Sequence, residues 1–304
     1  MKAWLVAVAL AVAGAAGPSE DPRLRQAVRD SGYTGTVLIY TPGDGAPVSG
    51  FGERADLPRI PASTFKIFSA LVALESGVVA GPETLIPWDG RQHSRDEINR
   101  DLDFATAFRL SAVPHFQALV REVGPERMRH YLALVGYGNA DTSGGDETFW
   151  LTGGLRISPR QQIAFLERLY RGELPFAPAT QAMVRELMRV EEAHDHLIRA
   201  KTGWASLPGG EAVGWWVGWV ERADGVHFFA TVLEGRAVAP DFGPARIETT
   251  RRALTLVGVL RMAGLPEAVF DETFDPAARL AEFPVRMTSL RESTGARVAR
   301  QSAH

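Results

Sequence analysis

The order of strand-like and helix-like stretches constrains this chain more than any other property. Residues 36–40, Thr-Val-Leu-Ile-Tyr, are β-branched and aromatic and run into Pro42-Gly43-Asp44-Gly45, which reads as a strand and its turn. Residues 48–53 follow as a return strand. Three more apolar runs, at 197–204, 214–221 and 226–234, are separated by Gly/Pro and Ala-Asp-Gly turns and read as consecutive antiparallel strands. Between the two groups, Pro61 precedes a helical pattern over 63–75 that stops at Gly77. Residues 101–190 are helical in pieces, broken at Pro114, Gly124-Pro125, 136–145 and Pro159. A last helix covers 243–262. Strands at both ends with helices between them fit one sheet assembled from both ends of the chain. The expected class is α/β of the α+β type: a central antiparallel β-sheet, flanking helices and an inserted all-helical region.

The chain of 304 residues, 45% hydrophobic, suffices for a packed core. The expected division is a single composite domain over 17–265, with a sheet part at about 17–62 and 195–265 and a helical part at about 78–190. Lys2, the apolar run 3–13 and the small residues 14–17 read as a signal peptide over 1–16, hence an exported, periplasmic or secreted protein with no stable membrane association after cleavage. An uncleaved anchor is the other reading of that run, which is short for a bilayer span. Residues 266–304 read as a C-terminal extension, partly disordered. A net charge of −3 without a basic stripe leaves no footprint for nucleic acid. Cysteine is absent, which excludes a disulfide framework, a thiolate metal site and a cysteine nucleophile.

Three lysines stand against thirty arginines, and two of the three lie in Ser63-Thr64-Phe65-Lys66 and Lys201-Thr202-Gly203. Arginine keeps its charge, whereas a buried lysine can lose its proton and act as a base. These lysines therefore point to chemistry. Ser63 and Lys66, three apart at a helix start, share a face, and the helix start favours a developing oxyanion. A neutral Lys66 would activate Ser63 as a nucleophile. A serine cap with a solvated lysine would explain the first motif alone, but Phe65, Ile67 and Phe68 give Lys66 apolar surroundings. A strand end with a turn glycine would explain the second. Ser-x-x-Lys and Lys-Thr-Gly occur together in serine enzymes that react with penicillins.

Further motifs follow in order: Ser111-Ala112-Val113, Tyr137-Gly138-Asn139, Phe149-Trp150-Leu151 and Gly214-Trp215-Trp216-Val217-Gly218-Trp219-Val220-Glu221. With Ile86-Pro87-Trp88-Asp89-Gly90 they make residues 35–261 similar to the class D, oxacillinase-type, serine β-lactamases. The resemblance implies a penicillin-binding transpeptidase-like fold and a small-molecule β-lactam substrate. It implies that Ser63 is acylated and that Lys66 takes up CO2 as a carbamate and serves as general base, with no metal and no other cofactor. Ser111 and Lys201 would carry a proton to the β-lactam nitrogen. Trp150, Val113 and Leu151 would stabilise and cover the carbamate. Backbone N–H groups of Ser63 and Trp204 would form the oxyanion hole beside Gly203. Thr202 and Arg246 would hold the substrate carboxylate; a surface helix arginine is the alternative for Arg246, and its distance from Lys201 favours the site.

Two positions depart from the family. Ile98 stands where an aromatic residue is common, and His115 where an apolar one is usual, the latter read as a packing or surface histidine. Glu191, Glu192, His194, Asp195 and His196 have metal-like residue types and read as a solvated strand approach. A penicillin-binding sensor domain or a D-Ala-D-Ala peptidase, either stopping at the acyl-enzyme, is the competing function. The chain is expected to be a monomer or homodimer.

Overall fold

The computed structural model describes residues 17–261; the expected signal peptide and the extension after 265 lie outside them. The described elements are β1 (Ser19–Glu20), α1 (Pro22–Asp30), β2 (Thr34–Tyr40), β3 (Val48–Ser49), α2 (Phe65–Glu75), β4 (Leu85–Ile86), β5 (Leu102–Asp103), α3 (Phe104–Arg109), α4 (Val113–Val123), α5 (Pro125–Val135), α6 (Pro159–Arg171), α7 (Pro178–Leu187), β6 (Arg189–Glu192), β7 (Leu197–Leu207), β8 (Glu211–Arg222), β9 (Gly225–Arg236) and α8 (Phe242–Leu256). Among the described residues, seven strands form one sheet in the order β1-β3-β2-β9-β8-β7-β6. The sheet is antiparallel except where β1 runs parallel to β3. This is the expected mixed α/β architecture, one sheet with flanking helices, joined by pairing β2 from one end of the sequence with β9 from the other.

Period-two alternation gives β7 two apolar faces. Ile198, Ala200 and Trp204 join Leu24, Val28, Phe242 and Leu254 in a core between the sheet and α1 and α8. Ala205 and the β8 residues Trp215, Val217 and Trp219 belong to the larger core under the helical part. Lys201 and Gly203, in phase with Ala205, therefore face that helical side. β6 pairs with β7 only as far as Arg199, so no described strand covers the β7 edge from Lys201 onward.

Several local expectations change. Helix α1 is absent from the sequence reading, although its signals are ordinary: Asp21 caps Arg23 N and Pro22 opens the first turn. The return strand shrinks to Val48–Ser49, and a 3-10 turn occupies Gly52–Arg54. A Cβ at Gly50 would lie 2.9 Å from the Leu24 carbonyl carbon, so that segment serves to let α1 pack closely. The break expected at Pro114 falls between α3 and α4, with Pro114 in the first turn of α4, where its missing N–H costs nothing. Helix α8 ends at Leu256, with Gly258 left-handed at φ 81° just beyond.

The segment that leads to Ser63 is fastened from two sides. Arg59 exchanges two backbone hydrogen bonds of 2.9 Å with Ile157. Glu234 on β9 accepts from the guanidinium groups of Arg54 and Arg59. Despite the cost of burial, those two arginines hold its carboxyl below the ordinary value of 4.5. A lowered carboxylate pKa contributes stability that is full above the unfolded-state pKa and is lost as pH falls through the folded one. Glu234→Gln should therefore cost about 2 kcal/mol at neutral pH. The gap from wild type should close in acid; urea titrations at pH 7 and pH 4 measure it, and a gap constant with pH would contradict the assignment.

Candidate active site

The site is built on a turn that no helix rule predicts. The expected helix over 63–75 begins only at Phe65; Ala62–Thr64 form a 3-10 turn, and Ala62 is left-handed at φ 50°. A non-glycine residue there is strained, and its surroundings impose the conformation. Ala62 N donates to Trp150 O at 3.0 Å and Thr64 N to Pro61 O at 3.2 Å. Thr64 Oγ1 also donates to Pro61 O at 2.7 Å and accepts from Gln162 Nε2 at 2.9 Å. Trp215 Nε1 donates to Ile60 O at 2.9 Å. Tyr137, of the Tyr-Gly-Asn motif, lies beside Thr64 and Gln162, and burial pushes its hydroxyl pKa well up.

Ser63 and Lys66 are both buried. Lys66 Nζ donates to Ser63 Oγ at 2.8 Å and lies 5.4 Å from the centre of the Phe116 ring. Val113 and Leu151 are buried in the same core as Phe116. Trp150 stacks on Phe65 at 5.1 Å and meets Phe149 edge-on at 4.9 Å. Its indole N–H is buried and has no acceptor among the described residues. An unmet buried donor costs about 1–3 kcal/mol, and indole can only donate. Such a donor suits an added anionic acceptor.

A second pair repeats the pattern. Lys201 Nζ donates to Ser111 Oγ at 2.9 Å and to Thr202 O at 3.1 Å, and lies 5.8 Å from the centre of the Phe108 ring. Ser111 is buried and left-handed at φ 55°. On β7, Gly203 approaches the nucleophile turn so closely that a Cβ would lie 2.9 Å from Pro61 O and 3.1 Å from Thr64 N. Trp204 is buried on the opposite face, with the guanidinium of Arg246 5.6 Å from its ring centre. Arg246 is no surface residue: it is 1% exposed and its Nη1 donates to Gly203 O. Thr202 is partly exposed.

The remaining candidates fall elsewhere. His115 is buried and donates through Nε2 to Arg100 O at 2.9 Å, and burial lowers its pKa. It is a packing histidine. Ile98 is fully buried. His196 bridges Glu191 and Asp195 at 2.8 Å each, and Glu191 also pairs with Arg251 at 2.7 Å; these are polar contacts on a strand approach. A broad cleft of about 870 Å³ lies among Tyr33, Arg59, Arg156, Arg236 and Asp241 and contains none of Ser63, Lys66, Ser111, Trp150, Lys201 or Arg246. The chemistry is located by the close-packed hydroxyl and ammonium pairs, since concavity alone supplies neither nucleophile nor base. Phe108, Phe116 and Gln162 escaped the sequence reading because nothing but their three-dimensional neighbours distinguishes them from core residues.

Comparison with known proteins agrees with this geometry. The penicillin-binding protein transpeptidase domain family matches residues 28–254. β-Lactamase OXA-5 of Pseudomonas aeruginosa is 44% identical over 182 residues, 58% of this chain and 67% of its own. β-Lactamase OXA-48 of Klebsiella pneumoniae is 42% identical over 182 residues, 60% of this chain and 68% of its own. The crystal structure of the class D β-lactamase YbXI from Nostoc superposes with a TM-score of 0.74 at 40% identity, covering 78% of this chain and 99% of that one. FUS-1 (OXA-85), a class D β-lactamase from Fusobacterium nucleatum subsp. polymorphum, gives 0.76 at 31% identity, covering 80% and 100%. The chain carries a penicillin-binding transpeptidase domain, and within that group it belongs to the class D β-lactamases.

The approach at Gly203 has a direct consequence. Gly203→Ala forces β7 away from the nucleophile turn, and such overpacking costs about 1–3 kcal/mol. A thermal midpoint several degrees lower is expected, and an unchanged midpoint would show slack between strand and turn.

Proposed function

We propose that this chain hydrolyses β-lactam antibiotics through an acyl-enzyme on Ser63. The observation that carries the reading is the 2.8 Å contact of Lys66 Nζ with Ser63 Oγ in a buried apolar pocket. Burial disfavours the ammonium form of lysine, so this amine is suited to receive a proton. Ser63 Oγ attacks the lactam carbonyl carbon while its proton moves toward the Lys66 side chain. Backbone N–H groups of Ser63 and Trp204 receive the oxyanion. The lactam C–N bond breaks, and the nitrogen takes a proton by way of Ser111 and Lys201, whose 2.9 Å contact supports that role. Thr202 binds the substrate carboxylate, with the fixed charge of Arg246 behind it. Water then attacks the ester carbon, the bond to Oγ breaks, and Ser63 regains its proton.

Held on Lys66 as an N-carboxylate, CO2 supplies an anionic general base for both half-reactions. What supports it here is the buried indole N–H of Trp150, which has no acceptor among the described residues, and the apolar cover of Val113 and Leu151. No helix among the described residues is long and apolar enough to cross a membrane. The apolar run at 3–13 with small residues after it supports export to the periplasm.

Ser63→Ala should abolish covalent labelling by a penicillin, read by intact mass, with an unchanged circular dichroism spectrum. An adduct on that variant would move the nucleophile elsewhere. Trp150→Ala leaves Ser63 and its turn in place, so acylation should persist. Deacylation should slow by about a hundredfold or more, the scale of a lost general base. The trace with a chromogenic β-lactam would then show one burst and little turnover; steady turnover at the wild-type rate would refute the indole's role.

A further inference from the structure

We propose that Arg95 is a positioning residue for Ser111, holding in place the strained corner that presents the Ser111 hydroxyl to Lys201. The inference rests on the role given to Ser111 above and adds a residue that neither the motifs nor the mechanism uses.

Helix α3 is only six residues long and ends in a reverse turn with an unusual occupant. Leu110 caps it. Ser111 N then donates to Phe108 O at 3.0 Å and Ala112 N to Ala107 O at 2.9 Å. These two bonds are the pattern in which the residue after the cap turns left-handed, a place normally given to glycine. Here it is Ser111, at φ 55°. A side chain in that conformation crowds the following carbonyl oxygen and is strained. Glycine would relieve the strain but would remove the hydroxyl that accepts from Lys201 at 2.9 Å. The corner keeps a strained serine, so other contacts must hold it.

The bonds within the turn leave the Leu110 carbonyl, which precedes Ser111 in the same peptide unit. It lies at a helix C-terminus, where carbonyl oxygens carry partial negative charge and suit a cation. Arg95 Nη2 donates to that oxygen at 2.8 Å. Arg95 is 9% exposed, and the Glu97 carboxylate, 3.5 Å away, partly balances its charge. Its own loop is framed independently. Trp88 N bonds Asp101 Oδ1 at 2.8 Å, His93 N bonds Asn99 Oδ1 at 2.8 Å, and Ile98 is fully buried. The guanidinium is thus anchored from outside the turn it grips.

A double-mutant cycle with single-turnover acylation by a penicillin tests this. Arg95→Met should slow acylation about tenfold, because the hydroxyl is misaimed rather than removed. Arg95→Lys, which keeps a charged donor, should recover most of that loss. Ser111→Ala should slow acylation by itself, and adding Arg95→Met should slow it no further. Thermal midpoints are recorded for every variant; if Arg95→Met folds poorly, Arg95→Gln takes its place with the same expectation. Wild-type acylation in a folded Arg95→Met protein would overturn the proposal. So would an equal loss in both backgrounds, which is the mark of general destabilisation. If Ser111→Ala alone acylates at the wild-type rate, the role of Ser111 fails first and the proposal falls with it.

Discussion

The site depends on keeping a lysine amine dry against a serine hydroxyl. Lys66 is fully buried beside Ser63 and the Phe116 ring. Enclosure does three things together. It favours the neutral amine, it strengthens each local electrostatic interaction, and it makes an unmet donor such as the Trp150 indole expensive. That cost is what supports the proposed carboxylated amine. Arginine, which cannot give up its proton, would not serve at this position.

Two strained residues present the two hydroxyls. Ala62 turns left-handed in the 3-10 turn that carries Ser63 ahead of α2, and Ser111 turns left-handed where its side chain meets Lys201. Strain of this kind persists only where surroundings over-determine it. For Ala62 the surroundings are the Trp150 carbonyl, the Gln162–Thr64–Pro61 bonds and the bare face of Gly203. For Ser111 they are the helix-end bonds and Arg95. The sheet contributes rigidity: β7 brings Lys201 and Gly203 to one face by simple alternation and is itself fixed by long pairing with β8.

Much of this was legible in the sequence because it is local. Ser-x-x-Lys puts two groups three residues apart, and the scarcity of lysine singles both of them out. The three long strands announce themselves by β-branched and aromatic runs. What escaped was non-local. Residues 62–64 belong to a 3-10 turn whose shape is dictated by β7 and by residue 150, far away in sequence. Arg246 was singled out by its distance from Lys201, but its contacts with Trp204 and Gly203 appear only once α8 is folded. Arg95 carried no motif, since its partner is a backbone carbonyl fifteen residues on.

The central claim, that the Lys66 pocket is built to hold a carboxylated amine, is tested most directly by carbon-13 NMR. The protein is equilibrated with 13C-labelled bicarbonate and compared with Lys66→Ala and Trp150→Ala. The account predicts one protein-bound carbamate resonance in the wild type, absent without Lys66 and weakened without Trp150, and activity that drops in CO2-free buffer and returns with bicarbonate. Full activity in rigorously CO2-free buffer, with no such resonance, would contradict it.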